Sequence, residues 1–146
     1  LYPALGLLEM TNVSVGRGTA TPFEQLGAPW LDAVKLAQST NSIAGVKATV
    51  TTFTPTSSKH QGKLCHGVKL TLTDSGIDTV QLGLAIALRL RALHPAAWRH
   101  KRLLLMLGDQ ATYDGVVQQR PLTTIVAAYQ AKLDAFRERQ KAYRLY

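Results

Sequence analysis

Two stretches of strict alternation restrict this chain more than anything else in it. Val46, Ala48 and Val50 alternate with Lys47, Thr49 and Thr51, and Val68, Leu70 and Leu72 alternate with Lys69, Thr71 and Thr73. A period of two puts each apolar trio on one side of an extended strand, so both stretches read as half-buried strands that need a sheet and a cover. The connection between them, Thr54 to Gly67, is too long and too polar for a tight hairpin turn. Connections of that length inside a compact domain are often functional.

Helical signals surround the pair. Asp78 with Gln81 three residues on marks a helix start, Leu82, Ala85, Ile86 and Leu93 continue its apolar surface, and Pro95 stops it. Pro29 suits a first helical position, with Trp30, Val34 and Ala37 sharing a face as far as about Ser39 and Asn41 to Gly45 supplying a turn. Ile125, Tyr129, Leu133 and Phe136 form a stripe opposite Lys132, Arg137, Glu138 and Lys141, which predicts a long amphipathic C-terminal helix over the sheet. Leu1 to Leu8 fits either a buried strand or a short helical turn. Trp98 to Leu107 fits either a helix or a passage into a buried strand, broken at Gly108. The fold class is therefore α/β in the mixed α+β sense: a small mixed sheet with helices packed on it. At 146 residues the chain is the size of a single domain with its own core.

Charge and cysteine usage narrow the function classes. No run of eighteen apolar residues is present to span a membrane, and the richest run, Leu82 to Leu93, is interrupted by Arg89 and Arg91. A lone Cys65 excludes an internal disulfide. The formal charge of +8 attracts acidic partners. Its densest group is Arg89, Arg91, Arg99, His100, Lys101 and Arg102, whose contact (polymer, another domain or water) stays open at this stage. Trp98 is the chief aromatic nearby, and no recognition-helix, zinc-finger or RNP pattern occurs, so nucleic acid is not the expected partner. A start at Leu1, with neither methionine nor export signal, is what a piece of a longer protein is expected to show.

Residues 9 to 24 hold the chemistry. The run from Glu9 to Glu24 carries two carboxyls, the Asn12 amide, several hydroxyls and Arg17 between Gly16 and Gly18, with neither helical nor strand periodicity. Arg17 offers a rigid fork of donors for a carboxylate or phosphate, and the glycines can turn backbone N–H groups toward the same anion. The competing reading is an arginine that ties two loops together through backbone carbonyls. Glu9 and Glu24 are the weak candidates for acid and base. Glycoside hydrolysis uses two carboxyls about 5 Å apart for retention or roughly 6.5 to 9.5 Å apart for inversion. Either glutamate can equally cap a helix, pair with Arg17 or accept from sugar hydroxyls. Thr54 to Lys59 sets hydroxyls beside one ammonium, a composition suited to a polyhydroxylated or anionic ligand. His60, Cys65 and His66 offer metal donors, but their spacing matches no zinc pattern and a fourth ligand is not obvious, so no metal is expected. There is no Gly-x-Ser-x-Gly elbow, and Cys65 and His66 point apart if a strand begins there.

Taken in order, these blocks form a pattern: Glu9-x-Thr11-Asn12-Val13-Ser14-x-Gly16-Arg17-Gly18-Thr19; Pro22-Phe23-Glu24-x-x-Gly27-Ala28-Pro29-Trp30; Phe53-Thr54-Pro55-Thr56-x-x-Lys59; Cys65-x-Gly67-Val68; Tyr113-Asp114; and Tyr143-x-Leu145-Tyr146. The pattern resembles the carboxy-terminal part of the NamZ-type exo-beta-N-acetylmuramidases, long classed as a domain of unknown function, over nearly the whole chain. It departs from the family at Met10, where a glycine is usual, and at Tyr113-Asp114-Gly115, where a phenylalanine-aspartate pair is common. Met10 bears on fine substrate preference.

The resemblance implies a bacterial two-domain glycosidase with a Rossmann-like amino-terminal domain, absent from this chain, and a substrate cleft between the two. It implies removal of N-acetylmuramic acid from the non-reducing end of peptidoglycan fragments, as in cell-wall recycling, without metal or organic cofactor. An essential acidic residue would lie in the absent domain, leaving this chain inactive alone. From the substrate, a periplasmic or extracellular place is favoured for the parent protein. The expected substrate-binding set is Glu9, Asn12, Ser14, Gly16, Arg17, Gly18, Thr19, Glu24 and Lys59. In it Arg17 takes the lactyl carboxylate that distinguishes muramic acid from glucosamine, with backbone help from Gly16 and Gly18 and with Lys59 as a second, less directional candidate, while Asn12, Ser14 and Glu24 take neutral sugar groups. Two other readings stay open: a stand-alone module that binds cell-wall glycan without turnover, and a basic nucleic-acid binder.

Overall fold

The computed structural model describes residues 1–143. Leu145 and Tyr146 of the closing motif lie outside the described residues. The elements run α1 (Tyr2–Gly6), β1 (Gln25–Ala28), α2 (Ala33–Thr40), β2 (Val46–Phe53), β3 (Cys65–Leu72), α3 (Thr79–Leu93), α4 (Leu103–Leu107), α5 (Gln110–Val117) and α6 (Leu122–Lys141). This is the expected α+β class, with both alternating stretches as strands. The sheet differs in one respect: its order is β1-β3-β2 and both pairings are antiparallel, where a mixed sheet was expected. β1 follows directly on the polar loop in a stretch where the sequence shows no strand pattern. Four residues, all buried, are too few to show alternation.

Register explains the burial. Val68 faces Leu26 on one side and Val50 on the other, and Leu70 faces Ala48, so these residues share the face that meets the helices. Val46, Ala48, Val68 and Leu70 are buried, yet Val50 is 54 % exposed, contrary to the sequence reading. α2 packs on β2 and β3. Eight helical residues reach about 12 Å, whereas the eight of β2 reach about 26 Å, so the cover ends before Val50. On the opposite face the Phe53 ring lies against Gly27, and Gly67 sits directly against the Leu26 carbonyl.

Helix boundaries follow caps more than apolar spacing. The Asp32 carboxylate accepts from Lys35 N at 3.0 Å and starts α2 at Ala33, so Pro29 lies outside it. The buried stripe is Ala33, Leu36, Ala37 and Thr40, leaving Val34 exposed. α3 starts as its sequence predicts: Asp78 caps Val80 and Gln81, and the Gln81 amide donates back to Asp78 at 3.0 Å. α1 settles the first stretch as a helical turn, and within residues 98–107 only Leu103–Leu107 take the helical alternative, as α4, ended by Gly108 at φ 63°. α6 packs on α3 and α5, not over the sheet as its stripe suggested. Of the stripe only Ile125 is fully buried, set against Gly115 of α5, while Phe136 is exposed. No helix among the described residues is long and apolar enough to cross a membrane.

α5 was not foreseen, and its cap carries a pH signature. The Asp109 carboxylate accepts from Thr112 N at 2.9 Å, Thr112 Oγ1 at 2.8 Å and Lys132 Nζ at 2.8 Å, which joins α5 to α6. The Lys132 bond foremost, then those from Thr112, hold its pKa down at about 2, below the ordinary 3.8. A depressed carboxylate stabilises the fold above its unfolded pKa, and the contribution fades as pH falls through the folded value. Asp109→Ala is therefore expected to lose about 1 kcal/mol at neutral pH. The gap to wild type, followed by urea unfolding against pH, should narrow below pH 4 and close near pH 2.

Candidate functional site

The polar loop is closed at its base by the sheet. Ser14 N donates to Gly27 O at 2.8 Å and Gly27 N returns a bond to Ser14 O at 2.9 Å, so the loop leaves and rejoins the outer edge of β1. Phe23 N to Val15 O at 2.8 Å and Leu70 N to Glu24 O at 2.7 Å fix its returning limb. Gly16 and Gly18 both sit at positive φ, 80° and 78°. At Gly18 the reason extends beyond conformation: a Cβ there would meet Ser57 N at 2.5 Å. The second loop, residues 54–64, lies directly on the first, with Thr56 donating N–H and Oγ1–H to Gly18 O at 2.9 and 3.0 Å. Phe23, Ser58 and His60 hold positive φ without being glycine, a cost the surrounding contacts must offset and one that clusters at functional sites.

Arg17 lies at this junction. Its Nε donates to the Glu9 carboxylate and its guanidinium carbon sits 4.9 Å from the centre of the Phe23 ring, whose other neighbour is Tyr2 at 4.4 Å. The side chain is 47 % exposed, and its two terminal nitrogens make no hydrogen bond among the described residues. Arg17 thus binds a carboxylate instead of backbone carbonyls. The carbonyl-tying role falls to Lys59, whose ammonium donates to Glu9 O. Glu9 therefore holds both cations, one through its side chain and one through its main chain. Burial lowers the Lys59 pKa; Glu9 opposes that, and Arg102 and Arg17 add to it.

Lys59 also lines an open cavity of about 570 Å³, with Met10, Thr11, Asn12 and His60 on one side and residues 98–102 on the other. Asn12 builds this cavity. Its amide donates to Ala97 O at 2.9 Å, its Oδ1 accepts from Arg99 N at 2.7 Å, and its carbonyl meets His60 Nε2 at 2.8 Å. Ser14 and Thr19 act within the loop: Ser14 Oγ accepts from Gly16 N at 3.3 Å, and Thr19 Oγ1 donates to Gly16 O at 2.6 Å while accepting from Gln25. Glu24 is separate from Glu9. It pairs with Lys69 at 3.7 Å and lines another cavity with Tyr2 and Phe23.

The structure divides the basic cluster that the sequence left undivided. Arg89 straps α3 to α2 through Ser39 O and Ser42 Oγ, and Arg91 reaches Val117 O and Pro95 O, so both are structural. Arg99, His100, Lys101 and Arg102 line the cavity. No motif marked them in advance; the only sequence signal was their density. Cys65 and His66 take opposite faces at the start of β3, with Cys65 buried and its thiol pKa raised by burial.

Fold and site together define a small α+β domain that presents an arginine loop beside a basic cavity. The chain belongs to the family described as "Exo-beta-N-acetylmuramidase NamZ, C-terminal", whose model matches residues 1–146. It is 36 % identical over 156 residues to the peptidoglycan beta-N-acetylmuramidase NamZ of Bacillus subtilis (strain 168), an alignment covering all of this chain and 37 % of that protein. Two crystal structures of DUF1343 family proteins from Bacteroides fragilis NCTC 9343 share the fold. One has a TM-score of 0.82 at 25 % identity over 99 % of this chain and 41 % of its own, the other 0.69 at 24 % over 99 % and 39 %. The chain thus spans well under half the length of each of these relatives.

Proposed function

We propose that this domain forms one wall of a carbohydrate cleft in a two-domain exo-beta-N-acetylmuramidase, facing a Rossmann-like amino-terminal domain that carries the essential acid. The reaction is removal of N-acetylmuramic acid from the non-reducing end of peptidoglycan fragments, without metal or organic cofactor, outside the cytoplasm. This domain's part is positioning and electrostatics. The Arg17 guanidinium carries the reading: Glu9 and Phe23 hold it from below while its terminal nitrogens stay open to an incoming anion. That anion is the lactyl carboxylate, met by Arg17 and the Gly18 N–H, with Lys59 adding charge from beside them. Ser14, Gly16 and Thr19 hold the loop's shape, Asn12 shapes the adjoining cavity, and Glu9 orients both cations. Glu24 is left to neutral sugar groups.

Support comes from the family membership, from the resemblance of the loop motif, and from a geometry that leaves a bidentate donor free at an open surface. A charge-assisted hydrogen bond contributes about 1.5 to 3 kcal/mol. Arg17→Ala in the full-length parent is thus expected to reduce the preference for N-acetylmuramic over N-acetylglucosamine substrates by at least about tenfold. Competing the two substrates and comparing kcat/KM measures it; an unchanged preference removes Arg17 from recognition. Titrating the 146-residue chain alone separates roles: silence fits half of a composite site, whereas micromolar binding makes it a glycan-binding module.

A further inference from the structure

The cavity beside Arg17 carries more charge than one carboxylate needs. Lys59, Arg99, Lys101 and Arg102 all line it; among the described residues no acidic one does, and Glu9, which acts on Lys59 from outside the lining, is already paired with Arg17. The side chains of Arg99, Lys101 and Arg102 make no ion pair or hydrogen bond among the described residues, unlike those of Arg89 and Arg91. They project from one short segment whose backbone is anchored at its start to the first loop through Asn12. Trp98, which lines the same cavity, is 2 % exposed, and its indole N–H meets no acceptor among the described residues. Like charges gathered without counter-charge destabilise a fold unless a ligand supplies the missing sign.

We propose that this cavity binds a phosphoryl dianion, so that the domain recognises phosphorylated as well as carboxylated ligands. Two guanidiniums and two ammoniums match a dianion with three terminal oxygens better than a monoanionic carboxylate, because forked donors on separate residues can each take different oxygens. The lowered pKa of Lys59 agrees, since a bound anion there would offset its burial and the repulsion from Arg102 and Arg17. The inference rests on the cleft reading only for the saccharide part of a sugar phosphate. The anion site stands on residues that reading does not use, Lys59 excepted.

The test titrates the isotopically labelled chain with inorganic phosphate, N-acetylglucosamine 6-phosphate and N-acetylglucosamine, following the Trp98 indole N–H and the backbone amides of residues 99–102. Phosphate is expected to move these signals saturably, and Lys101→Ala with Arg102→Ala is expected to weaken it at least tenfold. Lys35→Ala with Lys47→Ala removes the same charge from exposed positions outside the cavity lining and should change affinity by less than twofold. Tighter binding of the sugar phosphate than of phosphate assigns the site to phosphorylated saccharide; equal affinities assign it to free phosphate. The proposal is overturned by absence of saturable binding or by equal losses in the two double variants. These outcomes are independent of what Arg17→Ala does to sugar preference, so the two readings can fail separately.

Discussion

Gly67→Ala is expected to cost about 3 kcal/mol of stability, at the upper end of ordinary overpacking. A Cβ at Gly67 would stand 2.1 Å from Leu26 O and 2.8 Å from Gly27 Cα, both main-chain atoms of the adjoining strand. Backbone cannot rotate out of the way as a side chain can, so β1 must separate from β3. That strand also carries the base of the polar loop through the Ser14–Gly27 pairing, so the damage reaches the site. Urea unfolding should show a lower midpoint with little change in slope, accompanied by a fall of roughly 10 °C in Tm. Gly6→Ala is the matched control: nothing lies within 4 Å of its added Cβ, and alanine suits a helix better. Equal midpoints for the two variants would mean that β1 is not held by this close approach.

Gly18→Ala should do the reverse, impairing the site more than the fold. Its left-handed backbone angle alone costs an alanine about 1 to 2 kcal/mol. The added Cβ would also meet Ser57 N at 2.5 Å and Ser57 O at 2.8 Å, which pushes the second loop off the first and breaks both bonds from Thr56. Lys59 moves with that loop and Arg17 loses its ordered neighbour. For the two-domain enzyme proposed above we expect kcat/KM to fall more than tenfold, with amide exchange at Thr56 accelerating. Gly62→Ala isolates the backbone contribution, because Gly62 has a similar φ of 71° and open space around it. If the two variants lose activity equally, loop docking is not what arms Arg17.

The sequence reading was strongest where one local interaction decides the outcome. Period two identified β2 and β3, and the reciprocal Asp78–Gln81 contact identified the start of α3. It was weakest where a neighbour decides. β1 has no alternation to show, the α2 start depended on Asp32 more than on Pro29, and the cover over Val50 depends on how far α2 extends. The same division holds in the site. The motif pointed to Arg17 and Lys59 and offered Glu9 as a partner for Arg17, but not the Glu9 carbonyl as the hold on Lys59 or Phe23 as the ring beneath the guanidinium. Residues 99–102 face Lys59 only because Asn12 binds the backbone on either side of Trp98, a contact across more than eighty positions that no local pattern announces.

The central strand is also the last of the three to leave the ribosome. β1 and β2 have no partner in each other, since the strand that joins them into a sheet is β3. While residues 25–53 are already outside the tunnel, Leu26 and Val46 must wait without a sheet until Cys65–Leu72 emerges between them. At about 5 to 20 residues per second that interval lasts on the order of seconds. Nascent-chain truncations ending before Cys65 should accordingly remain open to protease and bind chaperones, and protection should arise in one step once Leu72 has cleared the exit.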